Sequence, residues 1–253
     1  MKSEIIGNAT LYCGDALDVI GQLPANSLDL IACDPPYMIN TKSDGMGKLS
    51  PWADICNGSY WFAEWIRLGR SRLKQTGALW ACLNWRSFAT YQKAVCEARW
   101  SIESVLIWDK QWIGPGGQKG LRPSYEMVAL MAQPDFAVPD RGLPDIKAFP
   151  WSSQKPNGHP AEKPEALFRW LIEISTKRDG LVADFFLGSG TTGAAAITAG
   201  RSFIGVEQDE RWFDVACRRI EAAQRQADLF VRTPDLQAAY DKPLRDLFAE
   251  PAA

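Results

Sequence analysis

The sequence has no apolar stretch long enough to cross a membrane as a helix, and Met1 to Thr10 lacks the basic-then-apolar pattern of a secretory signal. A cytoplasmic protein is therefore expected. Histidine is nearly absent: His159 stands alone. Six cysteines (Cys13, Cys33, Cys56, Cys82, Cys96, Cys217) are scattered without a Cys-x-x-Cys pair. That scarcity argues against a Cys/His metal centre, and buried reduced thiols are expected instead. No Gly-Lys-Ser/Thr follows a glycine turn, which excludes a P-loop for a triphosphate. There is no internal repeat and no strong charge of one sign. The net charge of −2 exerts no global pull on nucleic acid, although a local basic face would suffice for binding.

What is present is the composition of one ordinary globular domain: 253 residues, 46% apolar and 23% charged. Short apolar runs alternate with helical periodicity. Strands are expected at Leu11–Gly14, Ser27–Cys33, Ala78–Leu83, Ile102–Trp108, Glu126–Met131, Leu181–Phe186 and Ser202–Val206. Helices are expected at Ala16–Leu23, Trp61–Lys74, Phe88–Ala98, Lys163–Thr176, Thr192–Ala199 and Asp209–Ala223. Met38 to Ser59 is polar and aperiodic, and Gln133 to Pro160 is irregular with six prolines. Alternating strands and helices predict a doubly wound, mainly parallel α/β sheet with helices on both faces. Ligands of such sheets bind outside the carboxyl ends of the strands. Gly14-Asp15, Asp34, Gly188 and Glu207 all fall at those ends.

Two motifs carry the chemistry. Asp184-Phe185-Phe186-Leu187-Gly188-Ser189-Gly190-Thr191-Thr192 runs from a strand through glycines into a small-residue helix. Gly188 and Gly190 would let the backbone approach a ligand closely, and the helix start offers free amides and a positive dipole end. Thr191 and Thr192 add hydroxyls, and Glu207 ends the next strand, where an acid can take both hydroxyls of a ribose. Phe186 and Ser189 belong to the same turn, so a nucleoside-type cofactor is expected here. The other motif, Asp34-Pro35-Pro36-Tyr37, puts an acid, a rigid turn and an aromatic ring at a strand end. It suits a flat substrate bearing an amine: Asp34 accepts one amine hydrogen, the Pro35 carbonyl the other, and Tyr37 supplies a stacking face.

Taken together, these motifs resemble the S-adenosylmethionine-dependent DNA amino-methyltransferases of the permuted beta group, in which the target-amine motif precedes the cofactor glycines. The resemblance runs from about Leu11 to Ala223. It implies a seven-stranded, Rossmann-like methyltransferase sheet whose last strand pair is antiparallel. It further implies a single circularly permuted domain over residues 1–253, with a target-amine half of about 1–131 and a cofactor half of about 160–223. Asp184, Gly188 and Gly190 would shape the methionine part of the cofactor site, Thr191 and Thr192 would meet its carboxylate, and Glu207 would hold the ribose. Gly14-Asp15 resembles the motif near the adenine ring, and Asp15 by itself also fits a helix cap. His159-Pro160-Ala161-Glu162-Lys163-Pro164 resembles the element preceding the cofactor strand, with Lys163 near the methionine end and His159 structural.

An acid at position 34 usually accompanies adenine N6 in this family, where serine accompanies cytosine N4. The expected reaction is methylation of the N6 amine of an adenine flipped out of duplex DNA, with cytosine N4 as the alternative. An RNA or protein-glutamine substrate and a catalytically silent DNA-binding protein are more distant readings. Met38 to Ser59 would gate the extruded base. The loop-rich segment 109–160 is where the family places DNA recognition, and Lys110, Lys119, Arg122 and Lys155 are its candidate phosphate contacts. Ser124-Tyr125-Glu126 stands where the family commonly has a His-Glu pair. So short a recognition segment invites a homodimer, and a cognate restriction nuclease is a further expected partner.

Overall fold

The apolar runs become strands because each can bury both faces, and the amphipathic stretches between them cover those faces. The computed structural model describes residues 1–36, 59–114, 120–152, 157–159 and 161–231. In chain order the strands are β1 (Lys2–Ile6), β2 (Ala9–Cys13), β3 (Leu28–Cys33), β4 (Leu73–Leu83), β5 (Ser104–Asp109), β6 (Tyr125–Ala132), β7 (Ile146–Ala148), β8 (Leu181–Asp184) and β9 (Ser202–Glu207). The helices are α1 (Ala16–Gln22), α2 (Ser59–Arg72), α3 (Phe88–Glu97), α4 (Glu165–Ser175), α5 (Thr191–Thr198) and α6 (Glu210–Val231).

They form one sheet in the order β1-β2-β9-β8-β3-β4-β6-β5-β7. β6 runs antiparallel to both β4 and β5, and β1 runs antiparallel to β2. The remaining pairings are parallel. The described sheet thus has nine strands rather than the seven expected. The two additions are the edges. β1 exposes four of its five residues and shows no buried face for periodicity to detect. β7 is three residues long and lies in the proline-rich stretch that reads as irregular.

Boundaries moved where tertiary pairing overrode local signals. Helix α2 stops at Arg72 and β4 starts at once, so Gly77 lies inside a strand and not after a helix. The cause is a register shift against β3: Leu28 pairs with Leu73, whereas Leu30 pairs with Ala78. Pro164 is the N-cap of α4 and not part of its first turn.

The doubly wound expectation is met by a separate core on each face of the sheet. Leu30, Ala32, Trp80 and Cys82 point into one, packed by Leu167, Phe168 and Leu171 of α4, Ala195–Ile197 of α5, and Phe213 and Ile220 of α6. Ile31, Cys33, Leu79 and Ala81 point the other way, into α1, α2 and α3. Alternate residues of one strand feed opposite cores, the reason those runs are continuously apolar. From β3 the chain crosses to β4 on one side, and from β8 to β9 on the other. The carboxyl ends of β3 and β8 therefore flank the point where the winding reverses, and that is where a ligand cleft opens. Among the described residues no helix is long and apolar enough to span a membrane.

Of the cysteines, Cys33 and Cys82 are buried, but Cys13 and Cys217 are half-buried and Cys96 is exposed; those five are free thiols, and Cys56 lies outside the described residues.

Candidate active site

A cleft of about 570 Å³ opens at the switch point, within the range of small-molecule and cofactor pockets. Its walls bring together Gly14, Asp15, Asp34, Pro35, Pro36, Lys163, Asp184, Phe186, Gly188, Ser189, Thr191, Thr192 and Glu207. These come from the ends of four strands and the segments that follow them. Backbone bonds tie the ends together: Gly14 N donates to Glu207 O at 3.0 Å and Leu187 N to Val206 O at 2.9 Å.

On the cofactor side, Asp184 is buried. Burial pushes its carboxyl up to about 7, against hydrogen bonds from Thr192 and from the Phe186 amide; the latter is 2.9 Å long. Glu207 accepts from Gly188 N at 2.8 Å and from Asp209 N at 2.9 Å. Burial raises its carboxyl too, opposed by those amides. Asp15 caps α1 by accepting from Leu17 N at 2.8 Å, while also lining the cleft. Cap and wall are therefore one residue. Phe186 packs against Trp61 and Trp65 of α2 at ring-centroid separations of 5.7 and 5.3 Å.

The two glycines separate in role. Gly188 has φ +53 and faces the cleft; a Cβ there would lie 3.4 Å from His159 Nε2. Gly190 has φ +83 and faces away, and a Cβ there would fall 2.9 Å from Ala216 Cα of α6. It does not line the cleft. Its freedom from a side chain serves helix packing rather than the close ligand approach expected of it.

Three features escaped the sequence. His159 is not merely structural filler: it forms part of the cleft wall over Gly188, edge-on to Trp212 at 4.5 Å. Arg219 of α6 reaches under the helix start, 2.9 Å from Glu162, 2.8 Å from Thr191 Oγ1 and 3.1 Å from Glu165. Trp61 joins the wall from α2. No local motif marks Arg219 or Trp61, and the motif around His159 does not reveal that its ring lines the cleft, because each acts across long sequence separations.

On the target side, Lys163 Nζ lies 2.5 Å from Asp34 Oδ2 and 3.5 Å from Glu126 Oε2. Burial alone would lower the lysine's pKa, but the Asp34 and Glu126 carboxylates outweigh it and hold the ammonium charged. Its charge thus meets the target motif from the wall of the same cleft that the cofactor-side residues line. Asp34 Oδ1 is buried without a hydrogen-bond partner. An unsatisfied buried oxygen costs roughly 1–3 kcal/mol and marks where a donor from a ligand belongs.

Of the candidate DNA contacts, Lys110 is engaged elsewhere. Lys110 is largely buried and lies 2.5 Å from Glu126 Oε1, so it offers no open charge to a phosphate. Arg122 donates to the carbonyls of Gly114 at 2.7 Å and Ile113 at 3.1 Å, bracing its own loop. Tyr37, Lys119, Lys155 and nearly all of the expected gate at Met38 to Ser59 lie outside the described residues.

A permuted, doubly wound sheet with an acid–Pro–Pro turn beside a strand–glycine–helix turn defines a class: an S-adenosylmethionine-dependent amino-methyltransferase. Residues 28–218 match the family described as DNA methylase, and the chain belongs to it. It is 28% identical over 243 residues to the type II methyltransferase M2.MboI of Moraxella bovis, covering 84% of this chain and 87% of that one. It is 29% identical over 248 residues to the DNA adenine methyltransferase YhdJ of Escherichia coli K12, covering 85% and 83%. Among solved structures, the cytosine-N4-specific PvuII DNA methyltransferase shares the fold with a TM-score of 0.69 at 18% identity, over 88% of this chain and 93% of that one. The protein is a DNA methyltransferase of the N6-adenine or N4-cytosine kind, with S-adenosylmethionine as methyl donor.

The donor set suits that cofactor. Glu207 stands where ribose hydroxyls would be held, the α5 start and Thr191 where a carboxylate would be met, and the Gly188 cradle would be filled by a Cβ.

Proposed function

We propose that this protein methylates the exocyclic N6 amine of an adenine extruded from duplex DNA, in the cytoplasm. The observation that carries the reading is Asp34 Oδ1, a buried acceptor with no partner at the end of β3, inside the cleft that Asp184 and Glu207 also line. An aromatic amine is a weak nucleophile because its lone pair is delocalised into the ring. Asp34 Oδ1 accepts one amine hydrogen and the Pro35 carbonyl the other, which draws the nitrogen out of conjugation and towards tetrahedral geometry. When bound, the cofactor supplies a methyl group made electrophilic by its sulfonium. Catalysis by this chain then consists of positioning and pre-aimed acceptors, with no covalent nucleophile.

Tyr37 would stack on the extruded base, whose unstacking costs a few kcal/mol. Asp184, Phe186, Gly188, Ser189, Thr191, Thr192 and Glu207 form the cofactor side, with Asp15 at its edge, Lys163 between it and the target motif, and Gly190 supporting the turn from behind. Phosphate contacts fall to Lys119, Arg122 and Lys155, because Lys110 is engaged internally. Adenine is preferred over cytosine on the acid at position 34, and the adenine-specific relative agrees with that choice. A homodimer extending the short recognition segment, and a cognate restriction nuclease, complete the proposal.

The test is incubation of the purified protein with labelled S-adenosylmethionine and unmethylated duplex DNA, then nucleoside digestion and mass spectrometry. N6-methyl-2′-deoxyadenosine is expected, and Asp34→Ala should abolish it while leaving cofactor affinity near wild type. N4-methyl-2′-deoxycytidine would transfer the mechanism to the other base. An absence of modified nucleoside with cofactor still bound would overturn the DNA reading.

A further inference from the structure

Behind the target motif lies a row of charges drawn from four separate segments. Lys110 comes from the residue after β5, Glu126 from β6, Lys163 from the residue before the α4 cap, and Asp34 from the end of β3. The links are 2.5 Å from Lys110 to Glu126, 3.5 Å from Glu126 to Lys163 and 2.5 Å from Lys163 to Asp34. Side-chain exposures are 12% for Lys110, 14% for Glu126, 9% for Lys163 and 22% for Asp34. Two cations and two anions alternate, so the row is neutral as a whole. Only such compensation makes charges at this depth tolerable, and removing one member leaves an uncompensated neighbour.

The row acts on Asp34 asymmetrically. Lys163 occupies Oδ2, whereas Oδ1 has no partner. We propose that Lys163, steadied by Glu126 and Lys110, is a positioning residue that fixes the Asp34 carboxylate and turns its one open oxygen towards the substrate amine. The proposal rests on Asp34 being the amine acceptor.

Other groups facing Asp34 do not replace that control. Cys33 on its own strand and Cys82 on β4 are buried thiols whose pKa values burial pushes up, so they stay neutral. Asp184 at the end of β8 is a second buried acid and brings no cation to Asp34. Lys163 is the cation in direct contact.

Lys163→Met takes the shared cation from Asp34 Oδ2 and Glu126 Oε2, so the Asp34 carboxylate is no longer held in one orientation. The expected result, measured with saturating cofactor and unmethylated genomic duplex DNA, is a kcat about a hundredfold lower at pH 7 with cofactor Kd little changed. Lys163→Arg should recover most of the rate. Glu126→Gln should lower kcat about tenfold, from the loosened lysine, with cofactor Kd again little changed.

Wild-type kcat in Lys163→Met would overturn the proposal. So would a loss that tracks cofactor Kd, which would make Lys163 a cofactor ligand. If Lys163→Met does not fold, Glu126→Gln decides: wild-type kcat overturns the proposal, and a lower kcat at unchanged Kd supports it. Asp34→Ala run in parallel separates the two levels. Activity in Asp34→Ala would sink the acceptor reading itself, whereas a dead Asp34→Ala beside a wild-type Lys163→Met would sink the positioning role alone.

Discussion

Gly190→Ala isolates what the second glycine of the cofactor turn is for. The residue sits at φ +83 as the N-cap of α5, where an L side chain costs roughly 1–2 kcal/mol. The added Cβ would also fall 2.9 Å from Ala216 Cα and 3.2 Å from Ala216 O. Both are backbone atoms of α6, so no rotamer change relieves the clash. Forcing an extra carbon into such a contact costs typically about 1–3 kcal/mol. The expected destabilisation is therefore about 2–5 kcal/mol, read as a fall in the urea midpoint of the cofactor-free protein at unchanged slope. Gly188→Ala is the control. Its φ of +53 carries the same backbone strain, but its Cβ meets His159 no closer than 3.4 Å. About 1–2 kcal/mol should be lost there, with a weakened cofactor Kd because the new methyl enters the cleft. Equal destabilisation of the two variants would refute the packing role of Gly190, as would a Gly190→Ala protein of normal stability with impaired cofactor binding.

Three further outcomes are expected. Asp184 has a folded-state pKa of about 7, against the ordinary carboxylate value when unfolded. The native state thus holds a proton that the unfolded chain releases, and this group's contribution to stability falls as pH rises from about 4 to 7. Relative to Asp184→Asn, the cofactor-free wild type should lose about 2–3 kcal/mol between pH 5 and pH 8, and parallel stability curves would contradict the assignment. Glu207→Ala should raise cofactor Kd well before it affects folding; calorimetry giving an unchanged Kd would remove the ribose role. Arg219→Met removes the guanidinium 2.9 Å from Glu162, whose side chain is 7% exposed. That should cost about 3–5 kcal/mol in denaturant unfolding and weaken cofactor binding through Thr191, and a neutral substitution would show that the clamp is dispensable.

The class of fold and the two chemical turns are visible in the chain alone. Strand runs such as Ile31–Cys33 and Leu181–Ala183 are apolar on both faces, and the breaks that follow them are made by proline and glycine. Signals of that kind act over a few residues, so spacing is enough to read them. They place Asp34, Asp184, Gly188 and Glu207 at strand ends, and the topology brings those ends together. The edge strands β1 and β7 left no such trace, because a solvent-facing or three-residue strand buries too little to impose a period.

Charged residues behaved differently again. Lys163, Lys110 and Arg122 look alike in sequence, yet Lys163 meets Asp34 across 129 positions, Lys110 pairs with Glu126, and Arg122 braces its own loop. Arg219 and His159 likewise take their roles from partners on other elements. A charge or ring gains its meaning from what lies within a few ångströms, and over such separations only the folded chain decides what that is. The sequence by itself determined a permuted methyltransferase sheet with an amine-binding and a cofactor-binding turn. Tertiary packing decided which oxygen of Asp34 is open, which lysine holds the other, and why Gly190 has no side chain.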